Sequence, residues 1–230
     1  DRDMIDVETN EQTVAHEMCN HWLGDYVTTE SWSNLTLNEG FANYSEYLWL
    51  EKKHGRDAAD AHMMEERSGY FGSTQRGGVH ELIWYKFEDK EQMFDAHSYN
   101  KGGAVLHMLR DYVGDDAFFA GLEKYLTDNQ YSAVEVDELR MAFEDLTGED
   151  LNWFFDQWFL SAGHPNLKLT TDYADGQVML TVEQTQDTDE NVPGVFRLPT
   201  TVAIFTNGST TPKVMDIVIN ERKQTFTFPS

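Results

Sequence analysis

Residues 14–25 read VAHEMCNHWLGD, and the spacing of their polar side chains decides the fold class of the surrounding region. In an α-helix, residues i and i+4 lie about 40° apart around the axis, so His16 and Asn20 point the same way. Glu17 points about 100° to one side, where its carboxylate can reach a water molecule beside a bound ion. His21 points about 140° away from His16, too far around the helix to share an ion with it. This is the spacing of the H-E-x-x-H pattern of zinc-binding helices, except that asparagine stands at the fourth position after His16.

A second motif lies downstream, where residues 31–42 read SWSNLTLNEGFA and lead into a further helix. Eighteen residues separate Asn20 from Glu39. The zinc-helix pattern, this interval and then N-E-G-F-A resemble the aminopeptidase N family of zinc metallopeptidases, the gluzincin group that also includes leukotriene hydrolase. Trp22 and Gly24 fall in the register of that family only when Asn20 occupies the place of the second histidine. We therefore interpret Asn20 as a substitution and not as a shifted motif.

Further segments extend the resemblance over nearly the whole chain. Residues 98–106, SYNKGGAVL, resemble the family's Y-x-K-G-A motif, with Gly103 in the place of its alanine. Residues 154–159, FFDQWF, followed by GHP at 163–165, resemble the end of the family's catalytic domain. The segment that includes FRLP at 196–199 is similar to the β-sandwich domain that follows it.

The resemblance implies a role for each motif residue. His16 and Glu39 would ligate one catalytic zinc ion, with Asn20 in the third ligand position. Glu17 would be the general base that takes a proton from water and later passes it to the leaving amine. Tyr99 would donate a hydrogen bond to the oxyanion. The implied substrates are peptides.

Residues around Glu39 are expected to play supporting parts. Asn43 and Glu46 follow Glu39 by one and two helical turns, where they can support the metal ligands. Asn38 and Gly40 are expected to set the geometry of the helix start.

Asn20 is the departure from the family pattern that matters most for activity. A neutral amide oxygen is a weak, hard ligand that suits calcium or magnesium better than zinc. We therefore expect the affinity for zinc to be orders of magnitude lower than that of a site with histidine at position 20. Cys19 is a good ligand type but points about 60° to the other side of His16, so it is not expected to compensate. His21 is expected to be structural or to line the cleft.

Two functions stay open: a zinc metallopeptidase of aminopeptidase type, and a catalytically silent module that binds peptides or a partner protein.

Composition excludes several other classes of function. The 230 residues include 41 acidic and 17 basic side chains, a formal net charge of −24 that repels phosphate backbones and argues against nucleic-acid binding. The 40% of hydrophobic residues is too high for a disordered acidic tail. The acidic excess suits either a salt-rich setting or a well-solvated surface. We find neither an apolar run of about 18–20 residues nor a signal peptide, and expect a soluble chain without a membrane span.

The apolar pattern changes near residue 164. Helical spacing predicts helices over residues 8–25, 37–53, 56–70, 101–113, 115–127, 134–146 and 151–159. Alternation then predicts strands within residues 167–173, 177–185, 196–206, 212–220 and 224–228, with tight turns at Asp175-Gly176 and Asn207-Gly208. Together with the resemblance, this predicts an α+β multidomain fold. Residues 1–164 would form the helical half of a thermolysin-like catalytic domain, and residues 165–230 an antiparallel β-sandwich.

The start of the chain also differs from the family pattern. In the family, a G-x-M-E-N segment that grips the substrate's amino terminus and a large β-domain precede the zinc helix, but only fifteen residues precede His16 here. We expect either a fragment of a longer protein or a reduced relative. The preference for cleavage at the amino terminus is therefore inferred less directly than the roles of the metal-site residues.

Overall fold

The computed structural model describes residues 10–205 and 209–229. The chain forms two compact units that divide between Ser161 and Ala162. The domain limits 1–164 and 165–230 stay a prediction, because compactness alone does not show which segments fold independently.

The described residues of the first unit are mainly helical, as the apolar spacing predicted. The α-helices are α1 (Glu11–Asn20), α2 (Thr36–His54), α3 (Arg56–Gly77), α4 (Gly102–Val113), α5 (Asp115–Asp128), α6 (Val136–Thr147) and α7 (Asn152–Trp158). A π-helical turn, His97–Lys101, leads directly into α4. Two short strands, β1 (Thr28–Thr29) and β2 (Ala133–Val134), pair in parallel. The third helix is longer than predicted, and residues 8 and 9 of the first predicted helix lie outside the described residues.

The first helix ends at Asn20, five residues earlier than its apolar pattern indicated. The N–H of Leu23 donates to the carbonyl oxygen of Cys19 over 2.9 Å, and the N–H of Asp25 donates to that of Asn20 over 3.0 Å. A Cβ atom on Gly24 would lie 2.5 Å from the Asn20 carbonyl oxygen. The chain therefore closes this turn at a place where only glycine fits without a shift of the backbone.

Helix α2 lies at the centre of the first unit and contacts α1, α3 and α4. Five consecutive residues, 40–44, are buried, so the middle of the helix is covered on every side, as packing against three other helices requires. The buried residues of α2 are Thr36, Leu37, Gly40, Phe41, Ala42, Asn43, Tyr44, Tyr47 and Leu50. The helix ends before Gly55, whose φ of +91° confirms the predicted terminator.

Two glycine-containing motifs meet where α2 crosses the start of α4. A Cβ atom on Gly40 would lie 3.1 Å from the Ser98 carbonyl oxygen and 3.2 Å from the Gly102 Cα atom. The Thr36 hydroxyl donates to the same Ser98 carbonyl over 2.9 Å. The expectation that Gly40 only sets the helix start is therefore too narrow, because Gly40 lets two backbones come into contact.

The described part of the second unit consists of antiparallel strands, as predicted. The strands are β3 (Leu167–Ala174), β4 (Gln177–Gln184), β5 (Leu198–Ile204), β6 (Lys213–Ile219) and β7 (Lys223–Pro229). One sheet has the order β3-β4-β7, and a second pairs β5 with β6. Side chains from both sheets share one core, which makes the unit a small sandwich; its buried members are Val182, Ile204, Ile217, Ile219 and Phe228.

The turn between β3 and β4 has the geometry that its sequence predicted. Asp175 and Gly176 have φ angles of +51° and +75°, the left-handed conformation of a two-residue hairpin turn. The second predicted turn, at residues 207–208, lies outside the described residues.

Among the helices of residues 10–205 and 209–229, none is long and apolar enough to cross a bilayer.

Candidate active site

The contact between α1 and α2 brings together the two motifs that the sequence singled out. His16 Nε2 lies 3.2 Å from Glu39 Oε2, and His16 Nδ1 lies 2.9 Å from Glu46 Oε1. Only 14% of the His16 side chain is exposed. The imidazole is thus held between two carboxylates of the neighbouring helix.

These carboxylates change the protonation of His16. Hydrogen bonds to Glu39 and then to Glu46 raise the pKa of His16 to about 9, although burial acts in the opposite direction. Burial opposes ionisation of Glu46, but the hydrogen bond from His16 and the nearby His62 ring hold the pKa of its carboxyl below the ordinary value. A protonated His16 ring on α1 is therefore stabilised by two carboxylates of α2.

Tyr99 joins this pair from the π-helical turn. Its ring lies parallel to the His16 ring, with centroids 5.9 Å apart and an interplanar angle of 11°. Burial and then the nearby charge of Glu39 raise the pKa of Tyr99 well above its usual range, and the charge of Glu17 acts in the same direction. The phenol therefore keeps its proton at neutral pH and can donate a hydrogen bond.

Asn20 lies one helical turn after His16 on the same side of α1. Its Oδ1 atom is buried and has no hydrogen-bond partner among the residues that the structure describes. An unsatisfied buried carbonyl costs about 1–3 kcal/mol, so such an atom indicates an absent partner. A cation held jointly with His16 and Glu39 would supply one.

The donor set therefore fits a divalent cation. His16 offers an imidazole nitrogen, Glu39 a carboxylate oxygen and Asn20 an amide oxygen, all common ligands of such ions. Glu46 would accept the Nδ1 proton of His16 and leave Nε2 free for the ion, the usual arrangement around a metal-bound histidine. The assignment of these three side chains as ligands stays a prediction.

Glu17 is exposed and follows His16 on α1. The charge of Glu17 raises the pKa of the Tyr99 hydroxyl. The predicted base and the predicted oxyanion donor are therefore close enough to interact electrostatically. The role of Glu17 also stays a prediction.

The two alternative ligands in residues 14–25, Cys19 and His21, do not fit the site. Burial raises the pKa of the Cys19 thiol to about 11, which disfavours the thiolate that zinc requires. The His21 side chain is 75% exposed and lies 3.0 Å from Asp25, so it pairs with its own turn.

Some residues around the site could not be inferred from the motifs. His62 of α3 lies 3.3 Å from Glu46, a contact too poorly aligned for a hydrogen bond but close enough for Glu46 to raise the pKa of His62. Asn43 donates to Glu66 over 2.6 Å, and Asn100 donates to the same carboxylate over 2.8 Å. Asn43 therefore ties α2 to α3 and, through Glu66, to the Tyr99 turn.

A second cluster, formed by His80, Asp95 and His97, was also missed. One possible ligand atom from each residue lies within 4.8 Å of the others. Asp95 and His97 stand just before Tyr99, and this proximity to the Y-x-K-G motif was the only available signal in the sequence.

Comparison with known proteins identifies the family of the chain. The family model described as "Peptidase family M1 domain" matches residues 2–158. The chain is 34% identical over 175 residues to the tricorn protease-interacting factor F2 of Thermoplasma volcanium, covering 75% of this chain and 22% of that protein. It is 34% identical over 186 residues to aminopeptidase M1-A of Oryza sativa subsp. japonica, covering 79% and 20% respectively. The chain thus spans only about a fifth of the length of these relatives.

A solved structure supports the fold. The crystal structure of Legionella pneumophila aminopeptidase A in complex with aspartic acid matches with a TM-score of 0.75, 21% identity and coverage of 95% of this chain and 24% of that one. The family match covers more than half of this sequence and includes the motifs at His16, Glu39 and Tyr99. The chain therefore belongs to peptidase family M1.

Proposed function

We propose that the chain carries the metal-binding and catalytic residues of a metallopeptidase of aminopeptidase type, which hydrolyses peptide bonds near the amino terminus of peptides. The observation that supports this most directly is the meeting of His16, Glu39 and Tyr99. His16 lies 3.2 Å from Glu39 and stacks on Tyr99 with ring centroids 5.9 Å apart. Residues from three separate segments thus surround one position, as a site for metal-assisted hydrolysis requires.

In this proposal His16, Asn20 and Glu39 hold one divalent cation, with zinc as the metal that the family implies. A cation bound there supplies Lewis-acid chemistry, polarising the substrate carbonyl and activating water near neutral pH. Glu17 takes a proton from the attacking water and later delivers it to the departing amine. Tyr99, kept protonated by its surroundings, donates a hydrogen bond to the oxygen on which negative charge develops.

Asn20 makes this a weak zinc site in the same proposal. An amide oxygen donates less charge to zinc than an imidazole nitrogen does, and metal affinity depends on ligand type and number. Activity is therefore expected at raised zinc concentrations and is expected to disappear on dialysis against a chelator.

The test is hydrolysis of aminoacyl 4-nitroanilides by the purified chain in a zinc titration, together with metal analysis. We expect turnover that Glu17→Gln abolishes while zinc binding is retained. Glu123→Gln, an exposed glutamate of α5, is the matched control and should leave the rate unchanged. Zinc binding without turnover in the unmodified chain would count against the catalytic proposal.

A catalytically silent module that binds peptides or a partner protein is the second candidate, and Asn20 is the observation that favours it. Saturable peptide binding at saturating zinc, with no hydrolysis by either the chain or Asn20→His, would support it. Hydrolysis that depends on Glu17 would exclude it.

A further inference from the structure

Asp95 binds four hydrogen-bond donors at the base of the turn that carries Tyr99. Its Oδ1 atom accepts from the backbone N–H groups of His97, over 2.9 Å, and Ser98, over 3.2 Å. Its Oδ2 atom lies 2.7 Å from His97 Nδ1 and 2.9 Å from His80 Nε2. Although burial acts in the opposite direction, the hydrogen bonds from His80 and His97 hold the pKa of the Asp95 carboxyl far below its usual range.

The proton on His97 can be placed from its two neighbours. His97 Nε2 lies 3.3 Å from the backbone N–H of His80, so this nitrogen must accept a hydrogen bond. The ring proton is therefore on Nδ1, where it is donated to Asp95. Burial lowers the pKa of His97, which agrees with a neutral ring.

His80 has the opposite surroundings, because both of its ring nitrogens face acceptors. Nδ1 lies 2.6 Å from the Glu81 carbonyl oxygen, and Nε2 lies 2.9 Å from Asp95. Both contacts are hydrogen bonds only if the ring carries two protons. The ring is stacked between His97, with centroids 3.8 Å apart, and Trp84, with centroids 4.2 Å apart.

The composition of this cluster suggests a metal site, but the proton positions do not. The His97 nitrogen nearest to Asp95 carries a proton, and stacked rings cannot direct two lone pairs at one ion. Lys101 acts electrostatically on His97, and Glu81 and Asp95 act on Lys101. The hydrogen bonds to Asp95 therefore account for the arrangement of the two rings.

The main chain of Asp95 also bonds to the turn that follows it. The Tyr99 N–H donates to the Asp95 carbonyl oxygen over 3.2 Å, and the Lys101 N–H donates to the Ala96 carbonyl oxygen over 3.0 Å. The side chain and main chain of Asp95 therefore bond to three successive residues that end at Tyr99. Because Tyr99 lies at the middle of the turn, its position depends on the hydrogen bonds that Asp95 accepts.

We propose that Asp95, hydrogen-bonded to His80 and His97, is a positioning residue that holds Tyr99 against His16. The kinetic part of this inference rests on the proposed function, but the placement of Tyr99 does not. An asparagine at position 95 cannot reproduce these contacts, since its NH₂ group would face two backbone N–H groups in one orientation and the His97 Nδ1 proton in the other. In an active chain, Asp95→Asn should lower kcat by about tenfold to a hundredfold and change KM little, as displacement of an oxyanion donor does.

The direct test is fluorine NMR on the full chain labelled with 3-fluorotyrosine. The chain has ten tyrosines, and the Tyr99 signal is identified by its loss in Tyr99→Phe. Asp95→Asn should move or broaden the Tyr99 signal by more than its line width. Asp89→Asn is the matched control, because Asp89 also accepts from the backbone of a short turn, at 3.0 Å from the Glu91 nitrogen, but is exposed.

A second variant and a second measurement keep the inference falsifiable if Asp95→Asn does not fold. His80→Phe retains a ring between Trp84 and His97 but has no proton to donate, and it should move the Tyr99 signal in the same way. Long-range ¹H–¹⁵N spectra at neutral pH should show a proton on His80 Nε2 and a proton on His97 Nδ1 only. An unchanged Tyr99 signal in His80→Phe, or an unprotonated His80 Nε2, would overturn the proposal. Because neither measurement needs turnover, an inactive chain would contradict the proposed function alone.

Discussion

The ring of Tyr99 lies parallel to the ring of His16, with centroids 5.9 Å apart, although the two residues belong to different motifs. Helix α2 lies between these motifs in the chain and contacts both the α1 helix and the Tyr99 turn. The close approach of Gly40 to Gly102 makes the second contact possible, since a Cβ atom on Gly40 would lie 3.2 Å from the Gly102 Cα atom.

Replacing Asn20 by histidine should strengthen zinc binding on the order of a hundredfold, because a strong nitrogen ligand takes the place of a weak oxygen ligand. Competition titration against a zinc chelator measures the change. Asn152→His, an exposed position at the start of α7, is the matched control and should bind zinc as the unmodified chain does. No gain in Asn20→His would mean that position 20 does not face the metal.

Replacing Glu46 by alanine should weaken zinc binding by about tenfold to a hundredfold, since the acceptor that orients the His16 ring is lost. The same titration, carried out in the Asn20→His background, gives a measurable affinity. Glu65→Ala, an exposed residue of α3, should have little effect. Equal zinc affinities in the two variants would mean that Glu46 forms only a structural ion pair with His16.

Replacing Gly40 by alanine should lower the free energy of unfolding by about 1–3 kcal/mol, because the new methyl group would be forced against the backbone of the Tyr99 turn. Gly72→Ala in α3 is the control, since a Cβ atom there meets nothing within 4 Å. That variant should be neutral or stabilised by up to about 1 kcal/mol through helix propensity. Denaturant unfolding distinguishes the two, and equal stabilities would contradict the close contact.

Replacing Lys101 by methionine should stabilise the chain at pH 7 and change how its stability depends on pH. The Lys101 ammonium is buried without a hydrogen-bond partner among the described residues, and burial lowers its pKa to about 8. An unfolded lysine titrates near pKa 10.4, so between these values the unfolded chain binds more protons. Raising the pH from 8 towards 10 should therefore stabilise the unmodified chain, on the order of 2 kcal/mol, but not Lys101→Met.

Unfolding curves of both chains at pH 7, 8.5 and 10 give the comparison. The stability difference between the chains should shrink as the pH rises. A difference that stays constant would mean that Lys101 keeps its charge in the folded state.

The sequence by itself determined the type and approximate extent of the helices and strands. These follow from local rules: the apolar spacing of α2, the glycine that ends it and the Asp175-Gly176 turn each depend on neighbours only a few residues away. The spacing in residues 14–25 likewise placed His16 and Asn20 on one side of α1. The predicted end of that helix was wrong because the backbone turns at Gly24, close to the Asn20 carbonyl oxygen. The apolar periodicity does not reveal this contact.

Only the tertiary structure decided which side chains meet. The carboxylate of Glu46 beside His16, the contact of His62 with Glu46, and the assembly of His80 around Asp95 all join residues from separate segments. Periodicity indicates the face of a helix that is buried but not the partner that covers it. The partners here depend on where backbones can approach, as at Gly40, and on which buried charges and protons can satisfy one another.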